Sequence, residues 1–433
     1  MKRRLGSFIV SLALLSALQY VRVCPFETNA SNEMRIHNLD TGLSYTTIQD
    51  AIDATETLSG HTIFVEEGTY HENLHMNKSL SLIGEDREKT VVDGNGRTIN
   101  DYVLLINRTS NVVVKGFTFQ NCHIGAFLLL CNLSRISDNQ IINCSWFGMW
   151  VYDSSNNFID GNVLKTNNVG IFLSAPPHFL TANNILFGNS FCNNLEAGIR
   201  VYWVSNNSIS ANWIDGNPRG IELSQGDKNF VEANTFKDNK AGTYLTESND
   251  NTFLHNNYID NTENVVVNPL WDPSSNNWGD SYPLGGNYWS NHNRTDFFSG
   301  PYQDEAGPDG IADTSYVIDE ENEDDYPLMT PFVSQGISVG LFERDFQLQT
   351  DYADLSYAHD RLLWNFTQLH INCRNLQEAS DNLSATHKAT LYELDRLRNL
   401  AYALTVMTTI LAGATAVLAI VAYRRRHIHK RTD

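Results

Sequence analysis

A chain of 433 residues is too long for one compact core, although a solenoid escapes that limit by adding turns. Only 18% of the residues are charged, with a net charge of −20, which suits stacked turns better than a helical protein. Both ends are basic, so the middle is more acidic than the total and makes nucleic acid a poor partner; divalent cations or cationic surfaces suit it better.

In chain order, residues 1–24 open with Lys2-Arg3-Arg4 and an apolar run to Val23, the pattern of a secretory signal. The sequence VRVC lacks the small residues of a good cleavage site, so an uncleaved signal anchor stays open beside a cleaved peptide. Residues 40–100 read as an N-terminal cap and first turns. Thr46-Thr47 ahead of an apolar-periodic run predicts a short capping helix over Ile48–Ala54. The strand-like segments TIFVEEG, SLSLIGE and TVVDG follow.

Residues 101–292 set the architecture. Glycines recur at Gly125, Gly148, Gly170, Gly198, Gly220 and Gly242, spaced by 23, 22, 28, 22 and 22 residues, each opening a short apolar run. Two strand-like pieces per period of about 22 are a solenoid signature. Alternation places Met149, Ile171, Ile199, Ile221 and Thr243 inside, with Val151, Leu173, Val201, Leu223 and Leu245 two residues on. The residues between them, Trp150, Phe172, Arg200, Glu222 and Tyr244, fall on the outer face. Asn212, Asn234 and Asn256 share the 22-residue spacing and predict a hydrogen-bonded column. The fold class this predicts is an all-β, right-handed parallel β-helix; an Asn-rich antiparallel sandwich is the competing architecture and rarely keeps so constant a period.

Here the chain carries recognisable motifs. TIQDAID, GHTIFV, GTYHEN, KSLSLIGE and VVDGNG, then Gly286-Asn287-Tyr288-Trp289-Ser290 and Asp309-Gly310-Ile311-Ala312-Asp313-Thr314, resemble the NosD-like β-helix repeat proteins. That family is named after a periplasmic accessory protein of nitrous-oxide reductase, and its prokaryotic surface members, many of them archaeal, lack evident catalytic residues. The resemblance runs over about residues 40–332 and implies the fold more strongly than an activity. Its name also raises copper, for which His71, His75 and Met76 offer suitable donors. Only six methionines are present and no dense His/Met/Cys cluster occurs, so copper is not expected.

Residues 293–332 read as a C-terminal cap with an acidic loop. Glu305, Asp309, the carbonyl of Ile311 and Asp313 fit positions 1, 5, 7 and 9 of a degenerate calcium loop, with Gly307 in place of a ligand at position 3. A solvated acidic loop is the alternative. The run Asp319–Asp325, with six acids in seven positions, reads as solvated surface.

Beyond Pro331 the asparagine-rich turns stop. Leu355, Leu362, Leu369, Leu376, Leu383, Thr390, Leu397 and Leu404 follow at seven-residue spacing, which predicts over residues 333–400 a long α-helical, coiled-coil-like stalk able to hold a homo-oligomer. A helix folding back along the solenoid competes with it. Residues 401–423 have no formal charge and are long enough for one transmembrane helix, and the basic tail 424–433 stays cytoplasmic. The expected location is therefore a cell membrane, single-pass, with the ectodomain outside.

Cys122 and Cys144, 22 residues apart, should stack on adjacent turns, as a disulfide or as buried thiols. Nine Asn-X-Ser/Thr sequons, including Asn77, Asn132, Asn143, Asn206 and Asn293, permit glycosylation. For ligand binding, Trp150, Tyr152, Arg200, Tyr202, Glu222 and Tyr244 line one outer face: flat apolar rings beside a few directional polar groups suit a glycan. Arg200 pairing with Glu222 on ordinary surface is the alternative. No Gly-Asp-Asp run and no Asp-Pro-His-Asp run occurs among the turns. Non-catalytic recognition or adhesion, stabilised by calcium, is thus preferred to a polysaccharide lyase, epimerase or hydrolase, or a copper accessory.

Overall fold

A computed structural model of the chain describes residues 34–95, 102–176, 182–268 and 274–333, then residues 382–415 with a few positions from 369 onward. These fall into two units, divided between Thr350 and Asp351.

Alternation of apolar and polar residues in three- to six-residue strands, broken at fixed intervals, winds the first unit into a parallel β-solenoid. Its described strands form three sheets of eleven, ten and nine. One turn runs through Phe147–Tyr152, Phe158–Asp160 and Val163–Lys165 before the next begins at Val169–Ser174. Met149 pairs with Ile171 and Val151 with Leu173 in parallel register, so like residues stack. Val151, Leu173, Val201, Leu223 and Leu245 are fully buried and share one core with Ile141, Leu164, Phe191, Ile214 and Phe236 of the second sheet. Thr243 is the polar exception, and its hydroxyl pairs with that of buried Tyr258 at 2.9 Å.

Each corner repeats one device. A residue in the left-handed region turns the chain, as at Asn156, Asn183 and Asn206 or at Gly188, Ala211 and Ala233. An inward asparagine follows, giving Asn157-Asn184-Asn207-Asn229-Asn251, Asn162-Asn189-Asn212-Asn234-Asn256-Asn287 and Asn167-Asn194-Asn217-Asn239-Asn261. In each column the backbone N–H and the side-chain amide donate to the Oδ1 of the next turn, as Asn212 does to Asn234, both at 2.9 Å. The amide also closes on a carbonyl of the preceding turn, here Leu186. Buried corner groups that water cannot reach are thereby satisfied.

The glycine column answers to crowding. A Cβ on Gly198 would lie 2.8 Å from the Gly220 carbonyl oxygen, and one on Gly242 would lie 2.6 Å from that of Asn264. Backbone cannot yield as a side chain can. Gly242→Ala is therefore expected to lower unfolding stability by about 1–3 kcal/mol, read as a shifted thermal midpoint; an unchanged midpoint would contradict the crowding.

At the N-terminal end, Ile36–Asn38 and Leu43–Tyr45 add antiparallel to Thr62–Val65. The short helix forms over Ile48–Asp53, N-capped by the Thr47 side chain, and puts Ile48, Ala51 and Ile52 into the core. Glu72 accepts from the N–H groups of Ile48 and Gln49 (3.0 and 2.9 Å), satisfying orphan donors of the first turn.

The C-terminal end corrects one expectation. Asp319–Asp325 is not simply solvated: Asn322 and Asp324 are buried. Asn322 Oδ1 accepts from Asn276 N and Trp278 Nε1, both at 3.0 Å. Asp324 Oδ2 accepts from Asn287 N (2.7 Å) and Trp289 Nε1 (2.8 Å), and its Oδ1 from Tyr326 N (3.1 Å). Two asparagine columns thus end on this loop.

In the second unit, residues 382–415 are continuously helical with exposed side chains. Among the described residues no helix is long and apolar enough to cross a membrane. The expected span at 401–423 is described only to residue 415; the leader, the start of the stalk and the basic tail lie outside the described residues.

Candidate functional site

The third sheet carries its outward side chains in rows along the solenoid axis. Register places Phe127, Trp150, Phe172, Arg200, Glu222, Tyr244 and Val266 in one row. Tyr152, Ser174, Tyr202 and Ser224 form the next. All six residues expected in the groove therefore share one face. The structure divides them between two surfaces.

Over the earlier turns lies an aromatic shelf. Phe127 stacks on Trp150 (centroids 4.6 Å apart), Phe147 packs against Phe172 (4.8 Å), and Trp146 stacks on Phe147 (4.3 Å). Tyr102, Phe127, Trp150 and Phe172 cover Ile124, Phe147, Val169 and Ala197, a small apolar cluster separate from the main core. Trp150 Nε1 donates to Ser174 Oγ at 2.8 Å, and Tyr152 meets the Trp150 ring edge-on at 5.4 Å. Phe127, Trp146, Phe147 and Phe172 were not among the expected groove residues. The repeat that singled out Trp150 contains two of them, Phe127 and Phe172, at the paired positions, so that part of the signal was available.

Over the later turns lies a charged cleft of about 550 Å³, lined by Glu196, Arg200, Arg219, Lys240, Tyr244 and Glu263 among others. Small Ala241 pairs between Arg219 and Glu263, which opens the floor. Arg200 and Glu222 do pair, at 2.7 Å, and the expectation missed the network around them. Arg219 Nη1 takes the other Glu222 oxygen at 2.7 Å, and Arg200 Nη2 reaches Glu196 at 2.9 Å. The Arg219 guanidinium also lies 4.3 Å over the Tyr244 ring. Partial burial pushes the Glu196 carboxyl up, but hydrogen bonds from Arg200 and Asn168 and the Arg200 charge outweigh it and hold the group below its usual range. With both Glu222 oxygens engaged by guanidinium groups, this constellation suits recognition better than proton transfer. Tyr202 stands apart, stacked on Trp203 at 4.4 Å.

The expected calcium ligands are not drawn together. Asp313 accepts from Phe297 N and Phe298 N (3.0 and 2.9 Å), Asp309 from Ile311 N (2.9 Å), while Glu305 sits in a two-residue strand paired with Phe298–Ser299. Burial pushes the Asp313 carboxyl up, yet those backbone hydrogen bonds prevail and hold it below its usual range. Among the described residues no group of three or more His, Cys, Asp or Glu side chains is placed to hold a metal. The aspartates that would suit an ion accept here from N–H groups of nearby backbone. Nor do His71, His75 and Met76 converge: Met76 is in the core, whereas His75, one residue earlier, takes the opposite side of the strand. Cys122 and Cys144 do stack on adjacent turns, as buried separate thiols with sulfurs 2.8 Å apart.

Fold and face together define a parallel β-helix that displays one ordered outer surface. The family model described as periplasmic copper-binding protein (NosD) matches residues 86–294. A cell surface glycoprotein of Methanothermus fervidus is 26% identical over 206 residues, a match covering 41% of this chain and 35% of that protein. The chain thus spans about a third of the length of this curated relative. Over residues 86–294 the chain is thus similar to the NosD family, and its first unit is a parallel β-helix. Among solved structures, ORF18 of Geobacillus virus E2 is similar with a TM-score of 0.42 at 16% identity, covering 63% of this chain and 62% of that one. The Streptococcus pneumoniae surface protein and adhesin PfbA gives 0.40 at 14% identity, over 56% and 83% of the two chains. An alginate lyase from Paenibacillus gives 0.34 at 15% identity, over 56% and 94%. These likenesses concern the fold alone.

Proposed function

We propose that this is a non-catalytic recognition protein displayed at a prokaryotic cell surface, binding a glycan along the outer face of its third sheet. The observation that carries the reading is the continuity of that face. An aromatic shelf for sugar rings runs into a cleft whose charged groups are preset by mutual pairing, in one register across successive turns. The relative named as a cell surface glycoprotein and the exposed sequon asparagines Asn77, Asn132, Asn143, Asn206 and Asn293 support the surface assignment. The apolar segment 401–423 with its basic tail is the anchor in this reading, and the Ile48–Asp53 helix closes the first turn.

A glycan array probed with the detergent-solubilised full chain tests it. Binding to a restricted set of glycans is expected, weakened about tenfold or more by Trp150→Ala. Absence of binding, or cleavage of the glycans, would replace recognition with another role.

Export to an oxidising compartment would also let the adjacent thiols of Cys122 and Cys144 form a disulfide. Mass mapping of alkylated protein from the native host should then find both positions blocked until reduction. Free labelling under denaturing, non-reducing conditions would show that they remain thiols.

A further inference from the structure

The described helix of the second unit leaves one stripe without a partner. Ahead of the segment 401–423, Leu383 and Leu397 occupy seven-residue positions with Thr390 between them, and His387 and Leu394 occupy the offset seam. Leu383, Leu394 and Leu397 are 72%, 58% and 60% exposed. Leu391 and Leu400 flank the stripe and widen it, each half-exposed. So large an apolar face on a single helix calls for a partner.

We propose that its occupant is a second copy of this chain, aligned in the same direction and in register as a two-stranded coiled coil. The charges choose this partner. With Leu397 at d, Glu393 falls at g and Arg398 at e of the same turn of the seam, five residues apart. In a parallel pair, g of one helix faces e five residues further along the other, so each Glu393 meets the Arg398 of its neighbour and the contact occurs twice, once on each side of the two-fold axis. An antiparallel pair sets g against g and e against e, and loses this match. Within one chain these groups make only exposed pairs, Glu393 with Arg396 and Arg398 with Asp395, both at 3.3 Å, which exchange at little cost. The pairing would present two recognition faces from one anchor point, yet it stands on the helix alone and does not depend on the glycan reading.

The test uses full chains in detergent, with mass measured by light scattering over a dilution series. The native chain is expected to give the mass of two copies. Glu393→Arg, which leaves two cationic positions facing each other, and Arg398→Glu, which leaves two acidic ones, should each weaken that dimer about tenfold. Mixed together, the two variants should form a heterodimer tighter than either homodimer, because every g–e contact is then complementary. A merely misfolded helix would not be rescued by mixing. One-chain or three-chain masses at all concentrations, or no gain on mixing, would overturn the proposal.

Discussion

Asp324→Ala should unravel the solenoid from its C-terminal end. The carboxylate occupies the place where another turn would put an asparagine Oδ1. Its removal leaves the N–H groups of Asn287 and Tyr326 and the Trp289 indole N–H without acceptors in a dry site. At about 1–3 kcal/mol for each orphaned buried donor, partly relieved by entering water, a loss of about 3–5 kcal/mol follows. In a stacked repeat this falls first on the terminal turns. Hydrogen exchange should accelerate over residues 274–333 and remain slow in turns around residues 140–200; uniform acceleration would point to global rather than terminal destabilisation.

The same group makes stability pH-dependent. Burial pushes the Asp324 carboxyl up from 3.8 to about 6, against the hydrogen bonds from Asn287, Trp289 and Tyr326 that favour its ionised form. Between those limits the folded chain holds a proton that the unfolded chain has released. Its contribution is therefore complete below about pH 4, falls as pH rises to about 6 and stays lost above, a span worth roughly 3 kcal/mol. Other carboxylates also titrate here, so the comparison must be with Asp324→Asn. Asparagine keeps one acceptor but turns an amide toward another donor, so its loss at pH 7 should be smaller than for alanine. The difference in thermal midpoint between wild type and this variant should widen in favour of wild type on acidification from pH 7 to pH 4. A difference constant across that range would show that Asp324 titrates as an ordinary carboxyl.

The solenoid was legible because repetition turns spacing into geometry. A glycine every 22 residues and apolar residues at fixed offsets from it specify a stack, and Val151, Val201 and Leu245 lie inside as alternation requires. The doubled asparagines were legible only in part. One column was evident from Asn212, Asn234 and Asn256, whereas the rule of a left-handed corner residue followed by an inward asparagine needed coordinates. Where repetition stops, composition misleads. Asp324 lies in an acidic run and nothing local distinguishes it from its exposed neighbours; its burial depends on the free end of a column that runs back through Asn287 to Asn162. The groove was foreseen as one surface from the outward row, but the division into shelf and cleft depends on Arg219 and Phe147. Both belong to the row before it, which simple inside–outside counting did not treat as part of the surface.

Asn212→Asp separates the two ends of this logic. At Asp324 every close hydrogen-bonding neighbour is a donor, so a carboxylate can serve. Asn212 stands mid-column: its Oδ1 accepts from Asn189 N and Nδ2, while its own amide donates to the Leu186 carbonyl and Asn234 Oδ1. A carboxylate there keeps the first pair and faces two acceptors with no proton to offer, inside a fully enclosed corner. The result should be a loss of about 3–5 kcal/mol at pH 7, as large as that from Asn212→Ala despite a nearly unchanged shape. Acidification should restore part of the aspartate variant's stability, since a protonated carboxyl regains one donor, and leave the alanine variant's deficit unchanged. Thermal unfolding of both at pH 7 and pH 4 checks this. Were aspartate tolerated at neutral pH, the columns would owe their stability to shape and packing instead of to the direction of their hydrogen bonds.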